Sequence, residues 1–260
     1  MKLKEIYDKI DRVYPKRLSD EYVSAYGGRD NSGILLDTGK DITGAVFSLD
    51  FSRGAIETAV RKGYNLIVTH HPAIFFPVSS IRTDDPLGAR LVNALEHSLS
   101  VISMHLNMDC AAGGIDESLA LAVGAKEIPA PNEPVENGGY GRIFEIEPVS
   151  YSTFTKNLMS VLRTKRAFSY GEEGVVHRVA SFCGAGVDAG SIAAAKRGGA
   201  EVIVSADIKH NFICDALESG LRVVQLTHYA SENYGFRKIY QSLEEKLGIP
   251  SVYHEDGAML

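Results

Sequence analysis

Side chains that commonly bind transition metals recur directly after short apolar runs of this sequence. Five of its eight histidines lie there, together with three carboxylates. Imidazole and carboxylate ligands in one site favour zinc, iron or manganese over calcium, which prefers oxygen ligands alone. In chain order, the residues of this set are His70, His71, His105, Asp109, Asp207, His210, His228 and Glu232.

The adjacent histidines His70 and His71 follow the apolar run Leu66–Val68, which is typical of a short buried strand. Pro72 restricts His71 to an extended or turn conformation, so the pair marks the end of the strand. By itself the pair is either a solvated loop or part of a metal site. Neighbouring histidines do not easily bind one ion together, but each can bind one of two ions. With Glu232 as a bridging carboxylate, the set predicts a dinuclear centre.

Two histidine–carboxylate pairs have helical spacing. His105 and Asp109 are four residues apart, and so are His228 and Glu232, so each pair shares one face if a helix begins there. His105 is either a ligand, a core histidine or a residue that supports a ligand through a hydrogen bond. Asp207 is open to direct ligation, to the same supporting role and to capping the helix that follows. No catalytic residue is assigned beyond these two supporting candidates.

Two segments of the chain resemble each other. Residues 45–71, AVFSLDFSRGAIETAVRKGYNLIVTHH, and residues 179–207, VASFCGAGVDAGSIAAAKRGGAEVIVSAD, both indicate a strand, a turn, a helix, a glycine and a strand. A further helix and strand follow in 89–109 and in 211–232. The alternative is that any two α/β units look alike over so short a span. We predict an α/β fold with two related three-layer α/β/α halves that arose by internal duplication.

The boundary between the halves is predicted at residues 126–142, KEIPAPNEPVENGGYGR. This stretch holds three of the nine prolines, which is typical of a connector. The first α/β domain is therefore expected to comprise 1–125 plus 233–260, and the second 126–232, with His228 and Glu232 at the interface of the two.

A glycine-rich stretch, CGAGVDAG at 183–190, follows a predicted strand and precedes a predicted helix. It is either a tight turn or a dinucleotide-binding fingerprint. The acidic residue that such a fingerprint requires would be Asp207, which follows the wrong kind of strand.

Composition disfavours several classes of protein. A net charge of −6 opposes non-specific nucleic-acid binding, which depends on basic surface. Three cysteines without a C-x-x-C pair indicate neither a zinc knuckle nor a disulfide framework, and fit a reducing compartment. The N-terminal residues predict an amphipathic helix ended by Pro15 rather than a signal peptide, and no apolar run reaches membrane-spanning length. We expect a cytoplasmic protein with no membrane partner and no nucleic-acid partner.

Five motifs occur along the chain, which are DNSGILLDTG at 30–39, THHP at 69–72, HLNMDCAAGGIDESLA at 105–120, SADIKHN at 205–211 and THYASE at 227–232. They resemble those of the Ngg-interacting-factor-three-like family, whose members are often called GTP cyclohydrolase 1 type 2 homologues. The resemblance spans nearly the whole chain and the motifs occur in the family's order. Two departures are Arg29, where a Trp is usual, and SADIKHN in place of the more typical TGDIKYH.

The resemblance implies a dinuclear metal site in the cleft between the two halves, with Glu232 as the bridge. It also implies the short form of the family, without an inserted domain, and toroidal homohexamers built from dimers. The cofactors would be two divalent ions per chain, either zinc, iron or manganese. Carried over position by position, the metal ligands are His70, His71, Asp109, His228 and Glu232.

Three functions follow as alternatives. The resemblance implies a metal-dependent hydrolase that opens the imidazole ring of GTP by means of a metal-bound hydroxide and releases formate. The second alternative is hydrolysis of another substrate, such as a phosphoester, because the sequence shows no obvious reader of guanine or triphosphate. The third is a non-enzymatic metal-handling or scaffold protein.

Overall fold

A computed structural model describes residues 1–260, which form two compact units. The first unit comprises 1–111 and 236–256, and the second comprises 112–235 and 257–260. No helix combines the length and the apolarity that crossing a bilayer would need. The elements within residues 1–111 are α1 (Leu3–Val13), α2 (Lys16–Tyr26), β1 (Gly33–Leu36), β2 (Ala45–Ser48), α3 (Arg53–Lys62), β3 (Leu66–Thr69), α4 (Pro86–Glu96), β4 (Ser100–Ser103) and α5 (Leu106–Cys110).

The elements from α6 to β10 lie in the second unit, α10 continues from it into the first unit at Phe236, and β11 lies in the first unit. They are α6 (Ile115–Val123), β5 (Pro131–Val135), β6 (Gly138–Ser150), α7 (Tyr151–Val161), β7 (Ala167–Tyr170), β8 (Val175–Ser181), α8 (Ala189–Arg197), β9 (Val202–Ala206), α9 (His210–Glu218), β10 (Arg222–Leu226), α10 (His228–Leu247) and β11 (Ser251–His254).

The sheet of the first unit has the strand order β1-β4-β3-β2-β11. Strands β4, β3, β2 and β11 are parallel, and β1 is antiparallel to β4 at the edge. Every residue of β2, β3 and β4 is buried, as a continuous apolar run covered on both faces requires. The helices contribute apolar faces at helical spacing to the same core, for example Ile56 and Ala59 of α3 and Leu91 and Ala94 of α4.

The sheet of the second unit has the strand order β5-β6-β8-β9-β10-β7. Strands β8, β9 and β10 are parallel, whereas β6 and β7 are antiparallel to their neighbours β8 and β10. The predicted connector at 126–142 was wrong in part, because β5 and the start of β6 form a hairpin there with Asn137 at a positive φ of 61°. Prolines are compatible with β5 because it is an edge strand, where a missing backbone N–H breaks no ladder bond.

The two units repeat one arrangement of strands and helices. In the first, β2-α3-β3-α4-β4 places three parallel strands side by side in chain order, and in the second β8-α8-β9-α9-β10 does the same. In each, an antiparallel edge strand pairs with the last of the three, β1 with β4 and β7 with β10. The prediction of an α/β fold with two related halves is therefore confirmed. The halves differ beside their first strand, where β11 is parallel to β2 and β6 is antiparallel to β8.

The compact units differ from the predicted domains in the assignment of helix α6. The predicted boundaries of 1–125 plus 233–260 and of 126–232 assign this helix to the first domain. In the structure α6 packs against β6 and β8 of the second unit. The reason is the apolar character of the helix, because nearly all of its residues are buried and need a sheet to cover them.

Candidate metal centre

The candidate ligands of the first unit lie at the carboxyl ends of its two neighbouring strands β3 and β4. His70 directly follows β3, and His105 follows β4 after one intervening residue. The strands are parallel and in register, with Thr69 opposite Ser103, so their ends meet at one edge of the sheet. The rings of His70 and His105 are consequently 5.1 Å apart between centroids, and those of His70 and His71 are 4.9 Å apart.

His70 is fully buried and faces a carboxylate. Its Nδ1 lies 3.1 Å from the carbonyl oxygen of Met104, which can only accept a hydrogen bond, so Nδ1 bears the ring proton. Its Nε2 lies 3.5 Å from Oδ1 of Asp109, which is itself only 4% exposed. Asp109 reaches this position because α5 begins after His105 and presents both residues on one face, as the spacing of four predicted.

His71 is held by a residue that the sequence did not indicate. Its Nδ1 lies 2.7 Å from Oδ1 of Asp50, which follows β2 at the same end of the sheet. The backbone N–H of His71 donates to the carbonyl of Leu49 at 3.0 Å, so the two loops are joined next to the ring. A signal was present in the sequence, because Asp50 is a carboxylate just after an apolar run, but no histidine accompanies it.

His105 belongs to the same cluster. Ligand atoms of His70, His105 and Asp109 all lie within 4.8 Å of one another, which is compatible with one shared ion. The Nδ1 of His105 lies 2.8 Å from Oδ1 of Asp30. Burial by itself would raise the pKa of the Asp30 carboxyl, but hydrogen bonds from His105, Ser19 and Ser32 outweigh burial and hold the pKa well below its usual range. Asp30 therefore stays ionised and fixes the proton of His105 on Nδ1.

In the second unit, His228 and Glu232 lie one turn apart at the start of α10. Nε2 of His228 is 3.1 Å from Oε1 of Glu232, which is only 3% exposed. Nδ1 of His228 is 2.8 Å from Oδ2 of Asp207, so Asp207 orients this ring. The alternative that Asp207 caps the following helix is wrong, because the residue before α9 is Lys209 and no side chain caps that helix. Asp207 instead has a positive φ of 46°, which turns the chain after β9.

Gly184 allows the backbone of the second unit to pass directly beside Glu232. A Cβ atom at this position would lie 2.3 Å from Oε1 of Glu232 and 3.3 Å from Nε2 of His228, and its φ is 56°. The N–H of Gly184 donates to Oγ of Ser231, and its carbonyl accepts from the N–H of Ala206. The turn interpretation of CGAGVDAG therefore has a structural reason, which is the close approach of the carboxylate and the left-handed backbone.

Replacing Gly184 by Ala is expected to destabilise the protein more than replacing Gly63 by Ala. Both positions have a left-handed φ, which costs a non-glycine residue about 1–2 kcal/mol. Only at Gly184 would the new methyl group also meet a carboxylate oxygen, because nothing lies within 4 Å of a Cβ at Gly63. Urea unfolding of both variants measures the difference. Equal losses of stability would mean that Glu232 moves away without cost.

The imidazoles of both units share one arrangement. In His70, His71, His105 and His228 the Nδ1 atom faces a carbonyl or carboxylate oxygen, which makes Nδ1 the donor nitrogen and leaves Nε2 as the nitrogen that a metal ion could bind. Metal-binding histidines are usually oriented in this way by an acceptor behind the ring. In two of these residues Nε2 faces a buried carboxylate, and buried carboxylates require a cation or strong hydrogen bonds. In the first unit, His70, His105 and Asp109 thus form a group that could hold a metal ion, and in the second unit His228 and Glu232 offer two further donors.

Known proteins resemble the chain over nearly its whole length. The Duf34/NIF3 (NGG1p interacting factor 3) family matches residues 1–254. A protein of Clostridium perfringens named GTP cyclohydrolase 1 type 2 homolog is 30% identical over 254 residues, which are 95% of this chain and 93% of that protein.

Two solved structures have the same fold. Reduced HcgD from Methanocaldococcus jannaschii is 26% identical with a TM-score of 0.80, and the match covers 98% of both chains. The Staphylococcus aureus hypothetical protein SA1388 is 24% identical with a TM-score of 0.85, and the match covers 98% of this chain and 97% of that one. The family match and the identity over almost full length agree with the five sequence motifs, and the chain therefore belongs to the Duf34/NIF3 (NGG1p interacting factor 3) family.

Proposed function

We propose that the chain is a cytoplasmic protein that binds two divalent metal ions and uses them for hydrolysis. The observation that supports this most directly is the shared orientation of the imidazoles, each with an acceptor at Nδ1, which leaves Nε2 for a metal ion. Glu232 is the proposed bridge between the ions, and zinc, iron and manganese all suit the donor set. The proposed ligands are His70, His71, Asp109, His228 and Glu232.

The carboxylates that contact the proposed histidine ligands have a defined role in this proposal. Asp50 and Asp207 hold the rings of His71 and His228 in the orientation that binding requires, and their negative charge makes the imidazoles better donors. His105, oriented by Asp30, is positioned either to bind an ion of the first unit or to hydrogen-bond a polar group of the substrate.

GTP is the proposed substrate, with opening of the imidazole ring and release of formate. The support is the name of relatives such as the Clostridium perfringens protein, a GTP cyclohydrolase 1 type 2 homolog. Divalent ions, when bound, supply Lewis-acid activation of water and of the group that is attacked. The chain's own contribution is to bind and orient them with buried imidazole and carboxylate groups. We further propose the homohexamer that the family resemblance implies, which sedimentation velocity tests directly.

Elemental analysis of the purified protein tests the metal site. Wild-type protein is expected to contain two divalent ions per chain, and Glu232→Ala is expected to lose more than one of them, because a bridge serves both. His97→Ala is the matched control, since Nδ1 of the exposed His97 also faces a carbonyl oxygen, at 2.9 Å, but no carboxylate is paired with its Nε2 among the ion pairs described. Retention of both ions by Glu232→Ala would refute the bridge, and metal-free wild type after loading would refute the site.

Substrate assays then separate the three functions. Formate released from GTP by the loaded protein supports the cyclohydrolase function. Turnover of phosphoesters without formate release supports a hydrolase of another substrate. A fully loaded protein that turns over neither class of substrate supports a metal-handling or scaffold role.

A further inference from the structure

Three aromatic rings connect the surface to the candidate ligands His70, His105 and Asp109 of the first unit, which we call its metal cluster. The ring of Phe75 contacts that of His105 at 6.1 Å in an edge-to-face arrangement, with an interplanar angle of 87°. The ring of Phe76 contacts Phe75 in the same way, at 5.0 Å and 79°. Phe76 is 64% exposed, so the last of these rings is open to solvent.

An arginine lies over the exposed ring. The guanidinium carbon of Arg29 is 5.1 Å from the centroid of Phe76. Arg29 directly precedes Asp30, whose carboxylate orients His105. Of these two consecutive residues, one therefore contacts His105 and the other contacts the ring of Phe76. Asn31 ties this loop to the other one by donating from Nδ2 to the carbonyl of Ile74 at 2.5 Å. The two loops that present Arg29 and Phe76 are therefore joined by hydrogen bonding at the base.

A guanidinium stacked on a ring keeps its N–H donors available, because they lie in the plane of the group and point outward from the ring. Stacking also reduces the conformational freedom that a long side chain loses on binding. The carboxylate of the adjacent residue, Asp30, is engaged by His105, Ser32 and Ser19. No ion pair to a carboxylate is described for Arg29, unlike Arg82 and Arg237, which pair with Asp84 and Glu255.

We propose that Arg29, supported by Phe76, is the residue that binds an anionic oxygen group of the substrate at the metal cluster of the first unit. This rests on the proposed function, because it identifies part of the substrate for the same site. The substrate class is a planar ring that bears a phosphate or a carboxylate. The anion would contact the in-plane donors of Arg29, while the ring of the substrate lies toward Phe76 and His105.

Two matched pairs of probes test the proposal on metal-loaded protein by isothermal titration calorimetry. Guanosine 5′-monophosphate against guanosine measures the contribution of a phosphate, and orotate against uracil measures that of a carboxylate. In wild type the anionic member of at least one pair is expected to bind about tenfold or more tightly than the neutral member, as a charge-assisted bidentate contact should provide. Arg29→Ala should abolish that preference and leave the affinity for the neutral member unchanged.

Two further variants separate geometry from charge. Arg29→Lys should recover only part of the preference, because lysine keeps the charge but not the planar fork. Phe76→Leu should reduce it by about threefold through loss of the stacking support. Arg12→Ala, an exposed arginine on α1 of the same unit, should behave as wild type.

Metal content, measured in every variant, separates the two proposals. Wild type that takes up no metal contradicts the proposed function. Wild type that loads metal but shows no anion preference, or an Arg29→Ala variant that keeps the preference, overturns the role of Arg29. Unchanged binding together with an altered oligomeric state would also overturn the role of Arg29. That result would assign Arg29 and Phe76 to a contact between copies of the chain.

Discussion

A chain in which His71 is replaced by alanine is expected to release formate from GTP no faster than metal-free protein. His71 is a proposed ligand, and its ring is held by Asp50 at 2.7 Å. Loss of an acceptor behind a ligand already reduces metal affinity or activity by about 10–100-fold. Removing the ligand itself should therefore lower the rate by more than about 100-fold. The measurement is formate release by loaded wild type, metal-free wild type and the loaded variant.

Asp50→Asn provides the graded comparison for the same site. An amide keeps the size of the side chain but lacks the charge, so this variant should fall between wild type and His71→Ala, with a loss of about 10–100-fold. His97→Ala is the control and should retain full activity, because this exposed histidine lies at the end of α4. Equal turnover by wild type and His71→Ala would mean that another site or a contaminant does the chemistry.

Replacing Asp116 by alanine is expected to destabilise the protein by about 3–5 kcal/mol, as the loss of one partner of a buried ion pair typically does. The side chains of Arg142 and Asp116 are 1% and 0% exposed, with 2.8 Å between Nε and Oδ2. Arg142 also donates to the carbonyl oxygens of Pro129 and Gly139 at 2.6 and 2.9 Å. It therefore joins α6 to the hairpin of β5 and β6, and its charge would lose its main counterion.

The double variant Asp116→Ala/Arg142→Met distinguishes the buried charge from lost packing. It should be more stable than Asp116→Ala alone, since the buried guanidinium is removed with its partner. Glu117, which lies 3.6 Å from Nη2 of Arg142, still accepts a hydrogen bond from the backbone N–H of Gly113. Glu147→Ala is the control, because it breaks an ion pair with Lys126 that is exposed on both sides and should change the urea midpoint by no measurable amount. A midpoint for Asp116→Ala that equals that of the control would contradict the structural role of the pair.

Local sequence patterns were sufficient for most of the elements. The amphipathic pattern before Pro15 predicted α1, which buries Leu3, Ile6 and Ile10. The apolar run before His70 predicted β3, and the duplicated segments predicted the repeated strand order. These predictions depended on periodicity within a few residues, which burial on one or both faces of an element dictates. The connector at 126–142 was predicted wrongly in part, because the prolines of residues 131–135 resemble a loop, whereas edge pairing of β5 with β6 tolerates them.

The sequence by itself determined which donors stand at the ends of strands, because strand ends and helix starts follow from nearby residues. His70, His71 and Asp109 were identified in this way, and so was the helical pairing of His228 with Glu232. The prediction that these five residues hold two ions still awaits the metal analysis.

Only the tertiary structure decided which acceptor contacts the Nδ1 atom of each candidate histidine ligand. Asp30 reaches His105 across 75 positions of sequence, and Asp50 and Asp207 each reach their histidine across 21. Those contacts depend on the packing of separate loops, and so does the close approach of the Gly184 backbone to Glu232. A sequence pattern specifies neighbours along one element, whereas hydrogen bonds between loops form only after the strands have aligned in register and brought their ends to one edge of the sheet.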